Sequence, residues 1–397
     1  MSTTAPSGSF ATYSRKPNLW KAFLWAAATP TRNGQWGRLR LVSRTAYALL
    51  AHPTEMKRWM GVVYELHTRG MLDDLEGEYL RAVQPHVNRL TTIQERVSQL
   101  IDYMDWTELA FQPGPLAQLN SNQPLVLVEL PPLPGYEHMR LQLTRAPVNS
   151  PEGELLLSLS VRRAPDVQHM TRALDVAVVA FSRFRVEGEA SLVIGGMRGQ
   201  RHPSLRLSPI EMAQALQGWK APVLMVRVMQ ELARHWGLHL VGLDPRWHQL
   251  KGWPYRYSAR NRETALRVKE SYEALWRHFD ARPGPPGWIV LPTSSDDSLA
   301  ATALSPEKRA RQIQRADYWL RTSSLLRREM RQALQRAGRD ARVARVTQSM
   351  ASEFEPEEQQ QKFQARRERP IEDLMPGKVR TRPQSSRILE TGPSSLI

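Results

Sequence analysis

Residues 186–203 read VEGEASLVIGGMRGQRHP, and residues 207–243 read LSPIEMAQALQGWKAPVLMVRVMQELARHWGLHLVGL. The apolar run Ala190–Ile194 is bounded by charge on one side and by Gly195-Gly196 on the other, which predicts a strand ending in a glycine turn. Ser208, Pro209 and Glu211 have the spacing of an N-cap, a first helical residue and a capping-box partner, so a short helix begins there. Gly218-Trp219-Lys220-Ala221-Pro222 interrupts it. Pro222 opens a longer helix whose stripe is Val223, Val226, Met229, Leu232 and Ala233, and Gly237 closes it. Leu238–Leu243 is a second strand, and a helical crossover lets it run parallel to the first.

Toward the N-terminus, Pro124–Leu130, Met139–Leu143, Gly153–Val161 and Ala173–Phe184 are predicted strands. No helical pattern separates them, so they form an antiparallel sheet. From Leu19 to about Asp105 the pattern is helical. Its stripes are Leu39, Val42, Ala46, Leu49 and Leu50; then Met56, Trp59, Met60, Val63 and Leu66; then Leu90, Ile93, Val97, Leu100, Ile101 and Met104. All three are read as core-facing. On the C-terminal side, Glu263–Phe279 is an amphipathic helix, ARPGPPGW a rigid turn and Trp288–Leu291 a last strand. Ser305 caps a long basic helix to about Arg345, with Ile313, Ala316, Leu320, Leu326, Met330 and Leu334 as its stripe. From Pro306 to Arg345 it carries 12 Lys/Arg against four Asp/Glu.

The expected fold is therefore α+β. A mostly antiparallel mixed sheet is flanked by helices and preceded by a helical layer. The organisation is a disordered N-terminus over 1–18, a domain over 19–345 and a disordered tail over 346–397. Within the domain, 19–110 is helical, 120–295 contains the sheet and 305–345 is the basic helix.

The chain has 397 residues, a hydrophobic share of 41% and a formal net charge of +16. That charge favours anionic partners such as acidic lipid, phosphorylated ligands or nucleic acid. No helix-turn-helix, zinc-finger or RNA-binding strand motif points to sequence-specific nucleic-acid binding. There is no cysteine, which excludes disulfides, thiolate-ligated zinc and a thiol nucleophile. Ten histidines are present without HExxH or any other metal-ligand spacing; His235 and His239 are four apart, but Gly237 breaks the helix between them. No metal site is expected. Leu19–Ala28 is too short to span a bilayer; it is read as a helix packed on the core, against the alternative of a membrane-surface anchor. The expected location is the cytoplasm, with peripheral attachment at the inner membrane as its variant.

Six short motifs stand in order: Glu152-Gly153-Glu154-Leu155, Ala180-Phe181-Ser182, Leu192-Val193-Ile194-Gly195-Gly196-Met197-Arg198-Gly199, Leu216–Pro222, Lys269–Trp276 and Ser305–Ala310. Together they resemble the VirK/YbjX family, a bacterial family of unknown function. Their order and spacing match from about residue 35 to about 325. The Asp244–Leu250 segment departs from the family's pattern. The resemblance implies roles in the cell envelope, stress response, virulence and host association, and no established reaction.

The strand–glycine–helix–strand order is also similar to the core of GNAT acyltransferases. That likeness implies acyl-CoA as cofactor, with its phosphates held by backbone N–H groups at a helix N-terminus. Gly195, Gly196 and Gly199 with Arg198 and Arg201 are the candidate cradle. The alternative is that Gly195-Gly196 is a bulge or tight turn. His202, Arg206, Asp244, Arg246 and His248 sit at the ends of the two strands, and Asp244 or His248 is the candidate general base. Glu152, Glu154, Glu187 and Glu189 are read as solvated turn acids. Three functions stay open: an envelope-associated accessory factor, an acyltransferase acting on an amine or hydroxyl from acyl-CoA or acyl carrier protein, and a non-enzymatic nucleic-acid-binding protein.

Overall fold

The computed structural model describes residues 19–29, 34–84, 86–133, 136–148, 150–163, 173–199, 208–248, 259–294 and 305–334. The helical layer comprises α1 (Lys21–Ala28), α2 (Gly34–Ala51), α3 (Pro53–Thr68), α4 (Leu75–Arg81), α5 (Ile93–Ala110) and α6 (Pro113–Asn120). A capping box at α5 fixes its start: Thr92 accepts from the Glu95 amide, and the Glu95 carboxylate accepts from the Thr92 amide. This satisfies two amides that a helix start otherwise leaves unpaired. The α3 stripe is buried throughout, from Met56 to Leu66. On α2 the buried residues are Leu41, Thr45, Ala48 and Leu49, whereas Leu39 and Leu50 are exposed. Of the expected stripe, Leu49 is buried and Val42 packs on the core, but Leu39 and Leu50 face outward, because apolar residues lie all round this helix and periodicity does not select a single face.

The sheet holds eight strands: β1 (Leu125–Leu130), β2 (Tyr136–Arg145), β3 (Leu155–Arg163), β4 (Leu174–Val186), β5 (Glu189–Gly199), β6 (His239–Leu243), β7 (Arg282–Pro283) and β8 (Trp288–Leu291). Their spatial order is β1-β2-β3-β4-β5-β6-β8-β7. Every pairing is antiparallel except β5 with β6, so this is the expected mostly antiparallel mixed sheet. Between β5 and β6 the chain forms α7 (Pro209–Ala215) and the crossover helix α8 (Ala221–Trp236). The Ser208–Glu211 capping box opens α7, and Gly237 at φ 64° closes α8 in the left-handed conformation that glycine adopts without strain.

The helix α9 (Ala259–His278) lays Tyr272 and Trp276 against the end of β6, with Phe279 buried just beyond. Basic α10 (Pro306–Ala333) docks by Thr322, Ser323, Leu326 and Met330; Ile313, Ala316 and Leu320, expected in its stripe, are exposed. Arg327 of α10 grips buried Glu231 of α8 through two hydrogen bonds of 2.9 and 2.8 Å. The main core joins the helical layer to one face of the sheet, where Trp106 of α5 meets Trp236 of α8 edge-on at 4.9 Å. A smaller cluster gathers Val87, Phe184, Val186, Val193, Val241, Leu243 and Trp288. Among the described residues no helix is long and apolar enough to cross a membrane.

Candidate functional site

The sheet changes direction at one place. β5 and β6 run parallel from Ser191 opposite His239 to Ile194 opposite Gly242, and their pairing stops there. At the same point the ladder with β4 slips: Phe181 faces Ile194 while Ala180 faces Gly196, so Gly195 is bulged out. A bulge bends its strand and increases its twist. β5 continues to Gly199 along β4, whereas β6 ends at Leu243 and the chain turns away at Asp244. The two parallel strands thus part at their carboxyl ends, where open α/β sheets place ligands.

Of the two alternatives to a phosphate cradle at Gly195-Gly196, a bulge or a tight turn, the geometry shows the bulge. Gly195 and Gly196 lie inside a strand, and the reason for glycine is close approach. A Cβ on Gly195 would stand 2.2 Å from the Glu152 carbonyl oxygen, and one on Gly196 2.6 Å from the Glu152 carboxyl group. Glu152-Gly153-Glu154 crosses the bulge as a clamp. Gly153 lies on the Phe181 backbone, and Glu154 reaches Ser182. Three of the motifs picked out in the sequence, at 152–155, 180–182 and 192–199, are therefore one contact. Arg198 is paired to Glu152 at 3.0 and 2.8 Å. Gly199 is different: among the described residues, nothing lies within 4 Å of where its Cβ would be. Arg201, His202 and Arg206 lie outside the described residues.

In the gap left by β6, the Met197 N–H points away from β4 and donates to the Tyr272 hydroxyl at 2.7 Å. Tyr272 is buried; its ring meets His248 edge-on at 6.3 Å and Trp276 at 5.6 Å. Trp276 lies against Gly242 and donates from Nε1 to the Leu243 carbonyl at 3.2 Å. Tyr272 and Trp276, four residues apart on one face of α9, therefore close the wedge between the strands.

The two candidate bases differ. Asp244 is buried and caps the turn Pro245–Trp247 by accepting from the Arg246 amide at 2.9 Å. Its carboxylate is also gripped by the Arg246 guanidinium at 2.9 and 2.7 Å, which raises the arginine's pKa above its ordinary value. Such a carboxylate is committed to holding the turn. His248 is buried, faces Tyr272 and is tied by a backbone bridge to Asn88. Of the pair, His248 is the one placed beside the wedge.

Glu154, read as a solvated turn acid, is buried instead. It lies between His86, at 2.9 Å, and the Ser182 hydroxyl. Burial opposes its charge, but His86, Arg81 and Ser182 together hold its carboxyl below the ordinary range. Beside it, Glu78 pairs with Arg81 and Arg145, each at 3.0 Å. The order of contacts here is serine to carboxylate to histidine, so the histidine does not touch the hydroxyl it would have to activate. This network braces the clamp. Of the remaining acids, Glu187 is an exposed turn residue at φ 50°, and exposed Glu189 meets His239 at 3.5 Å. Among the described residues no group of three or more His, Asp or Glu is placed to hold a metal ion.

The class so defined is an α+β protein with one parallel pair, bulged and parted, set in an antiparallel sheet. The family described as "Protein of unknown function (DUF535)" matches residues 34–321, most of the chain, so this chain belongs to that family, the VirK/YbjX family. No curated protein and no solved structure matches the chain.

Proposed function

We propose that this protein is an acyltransferase that takes an acyl group from a thioester of CoA or acyl carrier protein and passes it to an amine or hydroxyl. The parting of β5 from β6 beside the Met197 N–H carries this reading. Among the described residues no strand pairs with β5 on that side beyond Ile194, and the Met197 amide there donates to a side-chain hydroxyl. An extended amide-containing arm such as phosphopantetheine matches such a position, because its carbonyls can accept what a neighbouring strand would.

The surroundings fit a donor of that chemistry. Gly199 lies open at the end of β5. α8 starts with no acid in its first turn and no side-chain cap on its amides. Helix N-termini of this kind favour phosphate. In this reading Arg198, Gly199 and Arg201 supply the phosphate contacts, while Gly195 and Gly196 shape the bulge. His248 takes the proton from the attacking nitrogen or oxygen as it bonds to the thioester carbon, and Tyr272 returns a proton to the departing sulfur. The family's association with the envelope makes an envelope component the favoured acceptor.

Thermal unfolding of the full-length protein across acyl-CoAs and free CoA tests this. Saturating ligand at a hundredfold excess over its dissociation constant adds about 2.7 kcal/mol. A raised midpoint with CoA species, reduced in a Lys220→Glu variant that places an acid at the start of α8, supports the reading. No shift with any CoA species or acyl carrier protein removes it, leaving an accessory protein without this chemistry.

A further inference from the structure

We propose that the outer face of α2, with the adjoining α1, is a docking surface for an anionic lipid bilayer. The inference rests on surface chemistry remote from the parted strands and stands independently of acyl transfer. On α2, Trp36, Leu39, Tyr47 and Leu50 are 72, 56, 61 and 73% exposed. At 100° per residue they fall within an arc of about 80°, and the buried residues Leu41, Thr45, Ala48 and Leu49 occupy the opposite side. This helix therefore has two apolar faces. One packs into the protein and the other meets solvent. Leu24 on α1, which packs on α2, is likewise exposed. Exposed apolar side chains aligned this way mark a binding surface more often than scattered ones do.

Charge selects the occupant. The first 54 residues contain seven basic residues and no acid: Arg15, Lys16, Lys21, Arg32, Arg38, Arg40 and Arg44 precede Glu55. An apolar stripe carrying Trp and Tyr, bordered along one side of α2 by Arg40 and Arg44, matches the headgroup region of an anionic membrane, where aromatic rings settle at the interface and lysine and arginine pair with lipid phosphates. No helix among the described residues is able to span the bilayer, so the attachment is peripheral.

Co-sedimentation of the full-length protein with phosphatidylcholine vesicles, with and without phosphatidylglycerol, tests this. Binding is expected only with phosphatidylglycerol and is weakened by salt. The Leu39→Ser/Leu50→Ser double variant changes exposed side chains, so its unfolding midpoint is expected to match the parent while vesicle binding falls by about tenfold or more. Arg40→Glu, beside the stripe, is expected to lose much of the salt-sensitive part. Equal vesicle binding by the folded variants overturns the proposal. So does a dimer in solution that the leucine variant converts to monomer, since the stripe would then be a contact between copies of this chain.

Discussion

The Met197 amide and the Tyr272 hydroxyl are hydrogen-bonded at 2.7 Å across the gap that opens where β5 leaves β6. A strand amide that has lost its neighbouring strand is normally satisfied by water or another strand. Here α9 supplies the acceptor from a side chain, joining the sheet to the segment that carries His248.

That bond has a measurable stability. Tyr272→Phe keeps the ring and removes the acceptor, leaving a part-buried N–H unpaired. The expected loss is about 1–3 kcal/mol in urea unfolding. If the midpoint does not move, the amide has found another acceptor and the gap is wetter than described.

The glycines of β5 separate by role. Gly195→Ala drives a methyl into the Glu152 carbonyl and is expected to cost about 1–3 kcal/mol or more, because backbone has to move. Gly199→Ala meets nothing and is expected to stay within about 0.5 kcal/mol of the parent. Equal effects in the two variants, measured by chemical denaturation, would mean that the bulge is not where the strands part.

The buried carboxylate of Glu154 gives a pH dependence of known sign. Its pKa is depressed in the folded protein, so its contribution is present above the unfolded value of about 4.3 and is lost as pH falls through the lower folded value. Glu154→Gln leaves His86 and Arg81 facing a neutral amide. It is expected to cost about 3–5 kcal/mol near neutrality and to flatten the acid limb of the stability curve. An unchanged acid limb in the variant contradicts the assignment.

α10 is held at one charged point. Arg327→Ala removes two hydrogen bonds from buried Glu231, which still meets Arg234 at 2.5 Å. The expected cost is about 1–3 kcal/mol, with faster proteolytic cleavage within α10. Unchanged cleavage would show that the buried face of Thr322, Ser323, Leu326 and Met330 secures the helix without this pair.

Much of the frame was legible because local chemistry and tertiary structure agree. Ser208 with Glu211, Pro222 and Gly237 mark the α7–α8 boundaries, and the β5–α8–β6 crossover follows from the order of apolar runs. What was not legible depends on contacts distant in sequence. Gly195-Gly196 reads as a cradle, a bulge or a turn alike, because nothing local announces that Glu152 will lie over it. Glu154 reads as a loop acid because His86 and Arg81 are some 70 positions away. The α2 stripe held only in part for another reason: Leu49 was placed correctly, but Leu39 and Leu50 are as apolar as Leu41, and only the packing tells them apart. For the site, the segments 195–199 and 244–248 do border the same gap, while Tyr272, which closes it, carried no signal beyond its place on an amphipathic helix.

The most direct measurement is a backbone amide NMR titration of the full-length protein with CoA. Shifts are expected to concentrate at Met197, Arg198 and Gly199 and at the Ala221 amide opening α8, with the Met197 resonance leaving its Tyr272-bonded position. Saturable CoA binding that leaves those four amides unmoved, or no binding, would contradict the acyltransferase reading.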